Sequence, residues 1–408
     1  VKRKLGIFFL TILLLLLGMR VVPYLIYHET PPDITALQLL APPLSHDPVF
    51  DQLSLLAQPG FETDIKSPVW ALSDGELQSF LETNTPVRDA FERWQQSGGD
   101  PITTDEWGLH SRIPWSNADA FPDYRALKLL HHLFMAQACV SIKTGDTQKV
   151  QQALRNSLML AEFCGRNPSL PSLMVSCRML NEISVLITRF VPDTCLDETL
   201  LAALPGQDQL RTRLEQALWT ETLRTADQIK KTNKAVEPSQ KLAYFLLGPW
   251  LFNEGHTMQM LYDLFQWEQA QTRGPLAERE PYPIDIAEDT WRTFNPIGKL
   301  MVSIGAPMYR NFYLAVGFAA ASVDIARENI SARLAGRSFD PHTLQQQSNP
   351  LWNKPYVIND QAQIEILPPT DDRWQALHPV GENMADVAGP AAGFERKETD
   401  ATEEPQEK

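Results

Sequence analysis

Apolar and polar positions along the chain fall into three regimes. From Leu5 to Tyr27 the chain is almost continuously apolar, and Arg20 is its one charge. As a helix this run would extend about 35 Å, enough to cross a bilayer. Lys2, Arg3 and Lys4 precede it and predict an N-terminus held in the cytoplasm. Arg20 falls toward the far interface beside Tyr24 and Tyr27, where its guanidinium can snorkel. Signal-peptide cleavage wants small residues after the run, but Gly18-Met19-Arg20-Val21-Val22-Pro23 stands there. A lipoprotein needs a Cys at that point, and the first is Cys139. The run therefore reads as an uncleaved signal-anchor over 1–27, with the body in the periplasm of a Gram-negative cell.

The second regime, 28–120, is interrupted by Pro31, Pro32, Pro42, Pro43, Pro48, Pro59 and Pro68, which leaves room only for short helices. Helical turns fit near Ile34–Leu40 and Asp51–Leu56. Ser73-Asp74-Gly75-Glu76 is a capping-box signature that predicts a helix to about Glu82. A further short helix is expected from Pro86 to Gln95, before Gly98-Gly99.

The third regime has the 3.6-residue period of amphipathic helices. One helix is expected from Pro122 to Lys143, with Leu130, Leu133, Phe134 and Ala138 on one face, and another from Thr147 to Phe163, with Val150, Leu154, Leu158 and Ala161. Gly145-Asp146 separates the two, Gly165 closes the second, and Pro168 and Pro171 mark the next turn. A third helix follows to Phe190, then a short one over Asp197–Leu204 and a long one from Asp208 to Asn233. Beyond an aromatic stretch and a helix ending at Gly248-Pro249, another helix is expected from Gly255 to Gln271. A helical stretch through Met301 breaks at Pro307, and a small-residue-rich helix runs from Tyr309 to Arg327. Alternation on both sides of Asn359-Asp360-Gln361 predicts a β-hairpin.

The fold class expected is mainly α. An N-terminal transmembrane helix (1–27) leads through a Pro-rich segment (28–120) to a helical domain (121–336), either an irregular α-helical bundle or an α-solenoid-like domain of helical hairpins. A β-hairpin segment (337–379) and a disordered acidic tail (380–408) complete the chain.

Composition narrows the function classes. At 43% hydrophobic and 21% charged residues the 408-residue chain is globular in character. Its net charge of −14 argues against a nucleic-acid partner, which would require a basic face. The four cysteines, Cys139, Cys164, Cys177 and Cys195, permit two disulfides outside the cytoplasm. Antiparallel neighbouring helices would make Cys139–Cys195 and Cys164–Cys177 reasonable pairs, and four buried thiols packed as small hydrophobes is the other reading.

His131-His132 sit on one helix, where adjacent positions diverge by about 100° and would not face one metal. Glu254-Gly255-His256, with Asp263 further along, offers two or three metal ligands, but a solvated helix start is the favoured reading. The acidic stretch Glu278, Glu280, Asp285, Glu288 and Asp289 supplies carboxylates of the kind glycoside hydrolysis uses, and also the composition of a solvated loop. No nucleophile-elbow, P-loop or His-Glu-x-x-His pattern occurs, and no cofactor is implied.

The order of parts is similar to a group of membrane-anchored, mainly α-helical proteins of Gram-negative bacteria to which no activity is assigned. The likeness is carried by Ala36-Leu37-Gln38-Leu39-Leu40-Ala41-Pro42-Pro43 after the anchor, the Gly145-Asp146 helical hairpin, Asn295-Pro296-Ile297-Gly298-Lys299, and Asn349-Pro350 through Lys354-Pro355-Tyr356. It spans roughly residues 1–367 and supports the layout. The expectation is a single-pass inner-membrane protein whose periplasmic domain binds or scaffolds envelope proteins. The rival is a tethered hydrolase acting on a cell-wall or polysaccharide substrate through Glu254, His256, Asp285, Glu288 and Asp289.

Overall fold

The computed structural model describes residues 68–96, 124–234, 252–277, 295–358 and 364–365. The expected anchor, the Pro-rich approach before residue 68, the helix ending at Gly248-Pro249 and the acidic tail lie outside the described residues.

Nine helices make up most of what is described. They are α1 (Asp74–Thr83), α2 (Thr85–Gln96), α3 (Tyr124–Thr144), α4 (Thr147–Arg166), α5 (Leu170–Phe190), α6 (Glu198–Ala203), α7 (Gln207–Lys234), α8 (Glu254–Gln271) and α9 (Pro296–Leu334). Their starts follow local chemistry. Ser73 and Glu76 form the capping box, with Ser73 N donating to Glu76 Oε2 at 2.8 Å and Glu76 N to Ser73 Oγ at 3.3 Å. At the α3–α4 turn Gly145 adopts φ +73°, a left-handed conformation that suits glycine, and Asp146 then caps α4 by accepting from Lys149 N. Ser169, Asp197 and Asn253 cap α5, α6 and α8 in the same manner.

Packing does not follow chain order. α3, α4 and α5 stack in succession, but α9 returns past the intervening helices and packs chiefly along α5. α5 is thus the central helix, flanked by α3, α4, α7 and α9, and its Ile183, Leu186 and Ile187 have no exposed surface. Among the described residues it is the helix long and apolar enough to cross a membrane, yet most of that apolar stretch is buried against its neighbours. The 3₁₀ turn Val69–Ala71 and α1 pack on α3, so residues 68–96 share its core.

Two expected helix limits are corrected. α9 runs unbroken through Pro307, where an interruption was expected. Proline removes one helical hydrogen bond, at a cost of roughly 3 kcal/mol in an otherwise unsupported helix. Here Val302 is buried before it and Tyr313, Val316 and Ala319 after it, so packing on both sides carries the helix through. Gly165 does not terminate α4, which extends to Arg166. Its role is clearance, since a Cβ there would lie 2.5 Å from Arg213 Nη1 and 2.8 Å from Ser176 Oγ.

Arginines close helix C-termini that would otherwise leave carbonyls unpaired. Arg211 on α7 donates to Thr272 O and Gly274 O beyond α8, and to Pro350 O. Arg327 on α9 donates to Leu204 O after α6, and Arg333 to Val191 O after α5.

The C-terminal part forms two small antiparallel ladders. β1 (Ser348–Asn349) pairs with β2 (Lys354–Pro355), and β3 (Val357–Ile358) pairs with β4 (Ile364–Glu365) across the expected turn. Both rest near α9. Leu351 packs against Gly317, where a Cβ would come within 2.4 Å of Leu351 Cδ2. Tyr356 donates its hydroxyl to Asp324 Oδ2 at 3.1 Å. Burial raises the Asp324 carboxyl to about 6, against the hydrogen bond from Tyr356 and the nearby Arg327.

Candidate functional site

Among the described residues, a buried group of titratable side chains joins α3, α4 and α5. His131 and His132, adjacent on α3, both turn toward Glu182 of α5. His131 Nε2 lies 3.0 Å and His132 Nε2 3.6 Å from the same carboxylate oxygen, Oε2. His131 Nδ1 is 2.6 Å from the Ser157 hydroxyl on α4. Glu182 Oε1 accepts from Arg178 Nε at 2.9 Å.

Adjacent helical positions do point apart, as expected from the sequence, but the two rings are long enough to close on one atom arriving between them. Their centroids are 5.6 Å apart and their planes 47° to one another. Nothing in the sequence paired this dipeptide with a residue 51 positions away.

An ionised carboxylate only accepts, so His131 presents an N–H to Glu182 through Nε2, and His132 Nε2 faces the same oxygen at the longer distance of 3.6 Å. In the neutral ring, His131 Nδ1 then accepts from Ser157. His132 Nδ1 is buried and has no partner. Burial by itself would raise the Glu182 carboxyl. The hydrogen bonds and charges of His131 and His132 outweigh it and hold the group well below the usual carboxylate range. Burial depresses His132, aided by the His131 and Lys128 charges and opposed by Glu182.

The chemistry of this constellation is that of a sealed junction. Ser157, His131 and Glu182 have the residue types of a nucleophile, a base and an orienting acid. But Ser157 is 0% and His131 1% exposed, so a substrate carbonyl has no approach to the hydroxyl in this conformation.

A second junction ties α4 to α7. Arg213 Nη2 donates to Glu162 Oε2 at 2.5 Å, and Arg166 Nε donates to Glu162 Oε1 at 2.8 Å. Arg213 is 7% exposed, and its Nη1 lies against Gly165 without an acceptor. Burial pushes the Glu162 carboxyl up, but the charges and hydrogen bonds of Arg213 and Arg166 prevail and it falls below its ordinary value.

Of the residues singled out in the sequence, Glu254 and His256 start α8, and Asp285, Glu288 and Asp289 lie outside the described residues. His256 joins a third polar cluster. Asn295 adopts a left-handed conformation (φ 60°), and its amide Nδ2 donates to Thr257 Oγ1 at 2.9 Å and lies 3.1 Å from His256 Nδ1. Asn295 Oδ1 accepts from Asn253 N at 2.9 Å. A Cβ on Gly298 would lie 2.0 Å from Thr257 Oγ1 and 2.4 Å from Asn295 Nδ2. The run Asn295-Pro296-Ile297-Gly298 therefore builds a turn that locks α9 onto the start of α8. Asp263 turns elsewhere, accepting from Gln259 on its own helix. Among the described residues no group of three or more His, Cys, Asp or Glu has metal-holding geometry.

All four cysteines are buried and carry free thiols, on α3, α4, α5 and the 3₁₀ turn Asp193–Cys195. Burial pushes Cys139, Cys164 and Cys177 up to about 12, far from the thiolate a reactive cysteine requires.

Comparison with protein-family models, curated proteins and solved structures returns no match to this chain.

Proposed function

We propose that this chain is a single-pass inner-membrane protein whose helical body stands in the periplasm and works as a protein-binding or scaffolding module of the cell envelope. The location rests on Lys2-Arg3-Lys4 ahead of the apolar run 5–27. The observation that carries the binding role is how the polar chemistry is used. Glu182, Glu162, Arg213, Asn295 and His256 bond to partners on other helices or at helix junctions and hold the frame together. Against that frame, Ile297 and Leu300 at the start of α9 keep 36% and 40% of their surface exposed. Exposed apolar side chains three positions apart on one helix are suited to meeting a partner.

The location is tested with a reporter active only after export, fused behind residue 30 and behind residue 365. Activity at both positions, with the protein retained in washed membranes, is the expected result. A reporter active only in the cytoplasm reverses the topology.

A further inference from the structure

Adjacent His131 and His132 share one carboxylate of a neighbouring helix, and one ring nitrogen of the pair is sealed in the core without a partner. We infer that His131, His132 and Glu182 form an acid-sensitive latch between α3 and α5.

The argument begins with proton positions. Glu182 as a carboxylate accepts, so His132 faces it with Nε2–H and keeps a bare lone pair on Nδ1. A second proton on the ring must go to Nδ1. That atom is buried, and the side chain is only 5% exposed. The imidazolium would therefore hold a charged N–H with no acceptor, which is costly in a dry interior. When α3 and α5 separate, water accepts that bond. Proton uptake and helix separation are thereby coupled.

The charged surroundings relieve this only in part, and burial prevails. On α3 the groups acting on His132 are His131 and Lys128, both of which disfavour a further positive charge. From α5 comes Glu182, which favours the charged ring through Nε2 but is shared with His131 and Arg178 and does not reach Nδ1. From α4 comes the Ser157 hydroxyl, which is engaged by His131. Among the described residues, no charge on α1, α2 or the Val69–Ala71 turn, which also pack on α3, acts on the ring.

The sign follows. His132 is held below its ordinary value of 6.5 in the closed state and returns to it when the helices part. The closed state is fully favoured above 6.5 and loses ground as pH falls from there toward the depressed value. Glu182, depressed from 4.5, adds the same trend only at lower pH. Residues 68–96 rest on α3, so the latch also governs how firmly that segment is carried.

The test is amide hydrogen exchange on the full chain in detergent, between about pH 5 and about pH 7.5 and corrected for intrinsic rates. Opening of α3 should rise about tenfold per pH unit below 6.5 while that of α7, which carries no histidine, does not rise. His132→Gln, which cannot titrate, should flatten that response, and His342→Gln at an exposed position should leave it intact. An α3 response absent in the wild type, matched in α7, or retained by His132→Gln overturns the latch. Should His132→Gln fail to fold, C2-proton exchange of the wild-type ring decides. A midpoint below 6.5 is required, and one at or above 6.5 overturns the proposal.

Discussion

Replacing Glu162 with Ala should destabilise the protein by about 3–5 kcal/mol, the usual cost of removing one partner from a buried ion pair. The reason is Arg213. It is 7% exposed, enters between α4 and α7 over Gly165, and has its Nη2 held by Glu162 at 2.5 Å. Its Nη1 already lacks an acceptor, so no second partner stands ready to take over. Arg166 adds little, because it is more exposed and sits on the same helix as Glu162. The measurement is urea unfolding of the full chain in detergent, where the midpoint should fall with the slope unchanged. Glu162→Leu combined with Arg213→Met should recover most of the loss, because no charge is then left without a partner. If the single and double variants were equally destabilised, the cost would lie in packing instead.

Glu182→Ala should be the second large effect, about 2–4 kcal/mol, from leaving two buried imidazole N–H donors unpaired. This loss should depend on pH in a defined direction. The folded-state pKa of Glu182 lies well below its ordinary 4.5, so its contribution is complete above that value and is lost as pH falls through the folded value. Unfolding curves of wild type and variant should therefore stand furthest apart near neutrality and converge in acid. A gap that is constant with pH would mean that the carboxylate's charge plays no part.

Features decided within a few residues were legible in the sequence. Ser73 and Glu76 are three positions apart and cap each other, and Gly145-Asp146 turns the chain because glycine tolerates φ +73° there. The helices around them follow from apolar periodicity, and so does the β3–β4 pairing on either side of its turn. The junctions were not legible. Glu182 meets His131 across 51 residues and Arg213 meets Glu162 across another 51, and the two meetings depend on how four helices pack. Local patterns carry no information on crossing geometry. Pro307 was misleading for the same reason, since its local penalty is overridden by contacts made far away in the chain. Of the residues named for chemistry, His256 was found at a polar cluster, but the partner that explains it, Asn295, is 39 positions on.

These junctions give the account its shape. Buried polar side chains fasten helices together, and the resulting frame presents apolar positions to a partner. The most direct test places a photo-crosslinking residue at Ile297, at Leu300 and, as a control, at the exposed polar Glu82 in living cells. The account predicts a discrete protein adduct from Ile297 and Leu300, absent from Glu82 and retained when Glu254 is replaced by Gln. No adduct from either apolar position, or one equally strong from Glu82, would contradict it.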